Sequence, residues 1–353
     1  MESLQHREPI DRAAFARLAE PYRRQLKLHC YRMVGSLGDA EDLVQETFLR
    51  AWNGIEGFEG RSSLRGWLYR IATHCCLDAL AKRRRSHRWL PQQDLPASDE
   101  MPQGQPASDL PWLEPFPDGE LEGVPDDAPG PEARYEQRQS VRLAFIAAIQ
   151  QLPPRQRAML LLCDVMGWSA IETAQLLGGT VASVNSALQR ARATLAKRYP
   201  QEEGIAKTMT DEQQRLLLDR YLQAWERTDI EGFVALLRSD ATYSMPPWRQ
   251  WYSGRDMIGR FFRTVWKAYD GFRLVPIRAN RQPAFAVYAR QNGEPSWRAH
   301  SIQLLELVEG AISTLVLYAR PLGPRLFADF GLPINLAEGE AGASAVTRPP
   351  TCG

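Results

Sequence analysis

The sequence predicts a multi-domain protein: two all-α domains, the second a helix-turn-helix, followed by a C-terminal α+β domain. Three observations predict it. Apolar residues recur at helical spacing over 39–85 and again over 152–198. Between them, residues 91–137 are rich in proline and acid and show little apolar periodicity. From residue 283 onward three runs alternate apolar with polar residues and are separated by Asn292-Gly293 and Glu309-Gly310 turns. At 353 residues the chain is long enough for two or three cores.

In the first α domain the string DAEDLVQETFLRAW (39–52) reads as an amphipathic helix. Val44, Phe48 and Ala51 share one side. Asp42, Gln45, Glu46 and Leu49, at i, i+3, i+4 and i+7, make a second face that is acidic with one apolar residue. Such a face is either solvated or built for a partner. A loop, 54–63, leads to a helix over 64–85 whose core stripe is Leu64, Trp67, Leu68, Ile71 and Cys75. It ends in Lys82-Arg83-Arg84-Arg85. One or two cations at a helix C-terminus offset the dipole; four exceed that need and suit a phosphate backbone. Phe58, Arg61, Arg65, Trp67, Tyr69 and Arg70 interleave aromatic and basic residues just upstream. That mixture fits single-stranded DNA, whose bases need platforms and whose phosphates need cations.

The connector, 91–137, holds ten prolines and twelve acids. It is predicted to lack a core of its own, because it cannot bury enough surface to offset its ordering entropy. Its one apolar cluster is Trp112, Leu113 and Phe116, an anchor on this chain's own domains or on a partner. The overall charge of +1 conceals segregation: net +5 over 1–90, −11 over 91–137, +6 over 138–200 and +1 beyond. Two basic blocks around an acidic connector point to nucleic acid better than the whole-chain balance does.

The second α domain reads as helices over 153–166, 169–177 and 181–198, with Gly178-Gly179-Thr180 as the turn. Ser169 is an N-cap with Glu172 completing a capping box, and Thr180 caps the last helix. Val184, Leu188, Ala191 and Leu195 make its buried stripe. Asn185, Ser186, Gln189, Arg190 and Arg192 lie off it. Small polar residues early and arginines later suit a major-groove reader; the alternative is an ordinary three-helix packing unit.

In this order the strings DAEDLVQETFLRAW, FEGRSSLRGWLYRIATHCCLDALAKRRR and the helix-turn-helix at 152–198 resemble the extracytoplasmic-function (ECF) sigma factors of bacterial RNA polymerase. The resemblance covers roughly 10–90 and 135–198. It implies sigma region 2 over 10–90 and sigma region 4 over 138–200, with core RNA polymerase, through its clamp and flap, and promoter DNA as partners. It implies that Asp39, Asp42, Gln45, Glu46 and Leu49 dock on the clamp. It assigns Arg61, Ser62, Ser63, Arg65, Trp67, Arg70, Thr73, His74, Arg83, Arg84 and Arg85 to recognition and melting of the −10 element. It assigns Thr180, Ser183, Asn185, Ser186, Gln189, Arg190 and Arg192 to the −35 element. Many relatives have Asn where this chain has His74, which bears on −10 preference. In the family the acidic linker threads the polymerase's cationic cleft and RNA path. An anti-sigma factor is a further candidate partner.

The last third is α+β. DEQQRLLLDRYLQAWERT reads as a helix with apolar Leu217, Leu218, Tyr221, Leu222 and Trp225. A short helix over 230–237, the strand-like ATYSMPP and a helix over 254–269 follow. Then come the alternating runs 283–290, 296–307 and 311–320, which make a curled antiparallel sheet packed by helices. YLQAWERTDIEGFVALL, ATYSMPP and YSGRDMIGRFF resemble the SnoaL-like branch of the cone-shaped fold shared with nuclear transport factor two. That domain is expected over 208–335, with a disordered tail over 336–353. Tyr221, Trp225, Tyr243, Met245, Trp248, Trp266 and His300 could line its cavity, although most aromatics of this kind are core. Trp251, Phe262 and Trp297 are further candidates. A small-molecule ligand there would make the domain regulatory. A catalytic reading needs an acid–base pair, for which His300 and Asp240 are the candidates.

The N-terminus has no apolar h-region, and no apolar run approaches a membrane span, so a cytoplasmic protein is expected. Five cysteines without a C-x₂₋₄-C pair fit reduced thiols rather than a metal site. No metal, cofactor or catalytic residue is expected. The reading is a sigma factor with a SnoaL-like modulatory domain. A DNA-tethered SnoaL-type isomerase or cyclase, and a helix-turn-helix repressor independent of polymerase, are the alternatives; the acidic 39–52 face has no use in the last.

Overall fold

The computed structural model describes residues 11–58, 63–83, 87–107, 110–124, 139–198 and 209–336. They fall into two compact bodies. One holds Met1–Trp89 with Pro111–Gln201, the other Leu90–Leu110 with Glu202–Gly353.

The first body is helical: α1 (Arg12–Ala19), α2 (Arg23–Val34), α3 (Leu37–Gly54), α4 (Leu64–Lys82), α5 (Leu143–Gln150), α6 (Pro154–Leu160), α7 (Ala170–Leu177) and α8 (Val181–Arg198). Local chemistry sets the ends. Gly35, at φ 71°, lets α2 turn into α3. Ser36 and Ser63 cap α3 and α4. The Leu161–Val165 segment after α6 is a π-turn, with Met166 N donating to Leu161 O at 3.0 Å. The helix expected over 153–166 is therefore continuous but distorted.

The core stripe of α4 differs from expectation. Leu68 and Cys75 are buried, but Leu64, Trp67 and Ile71 are only partly so, and Tyr69, Ala72, Thr73, Cys76 and Leu80 join the core. The helix is covered from more than one side, by α2, by α3 and by the α6–α7 region. Its buried face is therefore wider than a single stripe.

The connector is packed where it is described. Trp112, Leu113 and Phe116 are buried. Phe116 lies 4.7 Å from the Tyr31 ring, and Tyr31 Oη donates to Glu114 O at 2.8 Å. The Glu114 carboxylate accepts from Leu37 N at 2.9 Å, at the start of α3. Of the two anchors expected for this cluster, the structure displays the chain's own helices. Residues 125–137 lie outside the described residues.

Two buried side chains in this body have large consequences. Arg157, fully buried on α6, donates to Met33 O, to Gln150 Oε1 at 2.8 Å, to Gln150 O at 2.7 Å and to Leu152 O at 3.1 Å. It ties the helix-turn-helix to α2. His29 is buried on α2, its Nε2 3.0 Å from Thr73 Oγ1 and its Nδ1 without a partner among the described residues. Burial, with Arg32 as a second cause, lowers its pKa to about 3. Unfolded, the same histidine takes a proton below about pH 6.5, so the unfolded state binds more protons between pH 6.5 and 3. Stability is full above this window and is lost as pH falls through it, by about 2 kcal/mol at pH 5. Urea titrations at pH 7.5 and pH 5 check this; His29→Gln should remove that share of the acid sensitivity.

The second body packs α9 (Asp211–Glu226), α10 (Ile230–Ala235) and α11 (Arg255–Val265) against one sheet. Its strands are β1 (Leu237–Ser244), β2 (Trp251–Ser253), β3 (Tyr269–Ala279), β4 (Gln282–Gln291), β5 (Trp297–Val308), β6 (Ala311–Tyr318) and β7 (Asn335–Leu336). Their order is β2-β1-β6-β5-β4-β3, with β7 on β5. Pairs are antiparallel except β1 with β6. Register shifts at Val287/Tyr288 and Glu306/Leu307 mark irregularities of the kind that curl a sheet. A short helix, α12 (Leu322–Leu326), follows β6.

Strands β2 and β3 are absent from the sequence reading. Pro276 inside 269–279 speaks against a central strand. The structure resolves the conflict by making β3 an edge, where one side of the backbone needs no ladder partner. Its hairpin to β4 turns at Asn280-Arg281, both near φ 55°, a turn without the Gly that marks the other two. The tail from residue 337 lies outside the described residues.

Candidate functional site

Helix α3 presents the expected acidic face. Asp42, Gln45 and Leu49 are exposed, Leu49 by 55%. Glu46 is partly covered and pairs with Arg50 at 2.7 Å, which also reaches Asp78 at 2.9 Å. Val44 and Ala51 are buried on the other side. Asp39 differs from the rest. Burial works to raise its pKa, but Arg88 and Arg83 beside it hold it below its ordinary value. It pairs with Arg88 and, at 2.8 Å, with Arg83, so it fastens the end of α4 and the residues after it instead of standing free.

The −10 candidates are partly gathered on α4. Ser63 is exposed and accepts from Gly66 N as the cap. Arg65 lies over the Tyr69 ring at 5.7 Å. Trp67 packs on Phe58, ring centroids 4.8 Å apart, so this pair is a prebuilt aromatic surface. Arg70 is exposed, and His74 Nδ1 lies 2.8 Å from Arg70 O. Thr73 is a correction: it is buried, donates to Tyr69 O at 2.7 Å and meets His29. A hydroxyl spent inside the core is not available to a base. Arg61, Ser62, Arg84 and Arg85 lie outside the described residues. Sequence reasoning missed Trp168, whose ring lies 6.2 Å from that of Tyr69 on α4. No local pattern signals a contact across a hundred residues.

The helix-turn-helix forms as expected. Ser169 and Glu172 make a reciprocal capping box on α7, and Gly178 closes that helix at φ 66°. Thr180 and Ser183 exchange hydrogen bonds at the start of α8, each backbone N donating to the other's hydroxyl at 3.1 Å. Val184, Leu188 and Ala191 are buried with Ala187, and Leu195 is half-buried. Asn185, Ser186, Gln189 and Arg190 are exposed, and Arg190 has no side-chain partner among the described residues. Arg192 is exposed but held by both Asp164 oxygens, at 2.7 and 2.9 Å. It braces α8 on the preceding turn.

In the second body a cavity of about 390 Å³ is lined by Trp225, Tyr243, Met245, Trp248, Trp266 and His300, as the sequence suggests. Phe262 and Phe272 are also in its wall. Tyr221, Trp251 and Trp297 are not. Tyr221 stacks on Phe285 at 5.2 Å and donates to Gln303 Oε1 at 2.5 Å, inside the core. Trp251 Nε1 donates to Leu95 O at 2.8 Å, and Trp297 is covered by the guanidinium groups of Arg273 and Arg290. Sequence reasoning missed Tyr269, Arg320 and two connector residues, Met101 and Pro102, which also line the cavity. The acid–base pair is not brought together. Asp240 is exposed on β1, paired with Arg238 at 2.9 Å, and outside the cavity lining.

Three family models match in the expected order: Sigma-70 region 2 over residues 18–86, Sigma-70 region 4 over 142–195 and a SnoaL-like domain over 218–313. The ECF RNA polymerase sigma factor SigG of Mycobacterium tuberculosis is 43% identical over 340 residues, 94% of this chain and 87% of that protein. The ECF sigma factor SigW of Bacillus subtilis is 30% identical over 191 residues, 53% of this chain and 89% of its own length. The crystal structure of the Mycobacterium tuberculosis ECF sigma factor SigJ shares the fold, with a TM-score of 0.56 at 22% identity, over 90% of this chain and 99% of that one. With its two sigma regions in order and a relative that matches nearly end to end, the chain belongs to the extracytoplasmic-function sigma factors of RNA polymerase, in a form that carries a C-terminal SnoaL-like domain.

Proposed function

We propose that this sigma factor docks on the polymerase clamp through Asp42, Gln45, Glu46 and Leu49, with α4 and the loop before it reading and melting the −10 element. Helix α8 reads the −35 element through Asn185, Ser186, Gln189 and Arg190. The observation that carries this reading is the outer face of α8. Four polar side chains stand exposed on a helix whose cap, turn and buried stripe are all spent on holding it in place. A surface of that kind suits the edge of a base pair. Asp39, Thr73 and Arg192 act in support, as brace residues within the fold. The acidic connector follows the polymerase's cationic path when the holoenzyme forms, and the second body modulates the level of transcription.

The protein does no covalent chemistry in this reading. Burial, seconded by Arg320, lowers the His300 pKa to about 4. That is far from the value that serves a general base at neutral pH, and Asp240 is no partner for it. The molecule acts in the cytoplasm with core RNA polymerase and promoter DNA; no described helix is long and apolar enough to cross a membrane.

Run-off transcription with core polymerase tests it. Arg190→Ala should weaken promoter binding by about 1–3 kcal/mol if it makes a bidentate base contact. The loss should vanish on a promoter whose −35 element is scrambled. An unchanged footprint over the −35 region would remove Arg190 from the reader set. In the same assay, deleting 205–353 should change the amount of transcript and leave promoter choice as it was; equal output on every template would leave the second body without a role in transcription.

A further inference from the structure

We infer that the cavity of the second body is a binding site for a small apolar carboxylic acid. Arg320 is its anion partner, and connector residues Met101 and Pro102 form part of its wall. This goes beyond promoter recognition and does not depend on it.

The volume, about 390 Å³, lies in the range of small-molecule sites, about 300–1,000 Å³. Its walls are mainly aromatic and aliphatic, and no Asp or Glu is among the lining residues. Three of the polar lining residues, Tyr269, His300 and Arg320, interact with one another. His300 Nε2 lies 3.2 Å from Tyr269 Oη, and its Nδ1 lies 3.0 Å from Ser301 Oγ. The imidazole is neutral at neutral pH, because burial opposes its charged form and Arg320 adds to the effect. Burial raises the Tyr269 pKa, so its phenol keeps its proton. Arg320 is then the one charge in the lining. It donates to Ala299 O at 3.1 Å and has no carboxylate partner among the described residues.

A guanidinium offers five N–H donors in a fixed fork. One is used here, and the rest match the two oxygens of a carboxylate. Arg320 is itself exposed, so it stands at the solvent-facing edge of the cavity, where a carboxylate can meet the guanidinium while the apolar part of the ligand fills the aromatic interior. Trp266, in the same wall, has its buried Nε1–H without an acceptor. A further oxygen on the ligand would satisfy it.

Hydrogen bonds among the described residues strap the connector across this body. Ser98 N donates to Trp251 O at 2.8 Å and Ala107 N to Pro247 O at 2.9 Å. Trp251 Nε1 donates to Leu95 O at 2.8 Å, and Tyr252 Oη to Glu100 O at 3.0 Å. Met101 and Pro102 sit between these ties. A ligand in the cavity therefore touches the segment that joins the two sigma regions, and packing against Met101 holds the strap down.

Calorimetric titration of the full chain with 2-naphthoate and with its neutral isostere 2-naphthamide is the test. The acid should bind at least tenfold more tightly. Arg320→Gln should remove that preference and Arg320→Lys should keep most of it. Saturating 2-naphthoate should also slow amide exchange at Ser98 and Ala107. Equal affinity for acid and amide in the unsubstituted protein, or no binding of either, overturns the assignment whether or not the variants fold. So does an unchanged preference in folded Arg320→Gln, or unchanged exchange at both amides. None of these measurements uses polymerase or DNA, so their failure leaves the sigma-factor reading standing.

Discussion

Asp42→Arg combined with Glu46→Arg should cut affinity for core polymerase by about 100-fold or more, equivalent to about 2.7 kcal/mol, while the melting curve stays where it was. Asp42 is exposed and has no charged partner among the described residues. Glu46 loses only the half-exposed pair with Arg50, and such pairs contribute about 0–1 kcal/mol. Arg50 keeps Asp78. The fold therefore has little to lose. An interface has much to lose, because placing like charges opposite one another costs several kcal/mol. Co-purification with core polymerase at the unsubstituted level would show that this face of α3 is merely solvated. Asp39→Arg is a useful contrast: it breaks the ties to Arg83 and Arg88, so its effect should appear in stability as well as in binding.

Arg157→Ala should destabilise the first body by about 3–5 kcal/mol, because buried oxygens left without a donor cost about 1–3 kcal/mol each and the cavity left behind adds to this. The substitution empties a site with no solvent access and leaves the oxygens of Met33, Gln150 and Leu152 without their donor. Burial lowers the Arg157 pKa to about 9, which still leaves it charged at neutral pH. Sign follows from linkage. The unfolded side chain keeps its proton to much higher pH, so the unfolded state binds more protons in the alkaline window above about pH 9. The penalty for burying the charge is present in full below pH 9 and relieved as pH rises through that window. Urea unfolding at pH 7.5 should show a single transition moved to lower denaturant. A shift under 1 kcal/mol would mean that water replaces the guanidinium at those oxygens.

The elements most legible in the sequence are those whose cause lies within a few residues. A capping box needs only Ser169 and Glu172, and a helix stop only Gly178. The exposed row Asn185, Ser186, Gln189 and Arg190 follows from a 3.6-residue period once Val184, Leu188 and Ala191 are placed inside. The same holds for the Glu309-Gly310 turn and for the strands on either side of it. Order of motifs did the rest, since three strings in the family's sequence identify the sigma regions without any structure.

Other features depended on which elements meet. The stripe of α4 broadened because that helix is covered by α2, by α3 and by the α6–α7 region, which no periodicity within 64–82 encodes. Thr73 left the DNA-reading set because His29, 44 residues away, claims its hydroxyl. Pro276 hid β3 because a proline is tolerated at an edge, and edge position is a property of the sheet. The charged end of the cavity needed Arg320 and His300 brought beside Tyr269, and its wall needed Met101 and Pro102 from a connector that composition alone describes as coreless. The sequence by itself determined the helix faces, caps, turns and family, because short-range periodicity and stereochemistry act on neighbours. Only the tertiary structure decided which polar groups remain free to act and which are consumed, because burial and hydrogen bonding are settled between residues far apart in the chain.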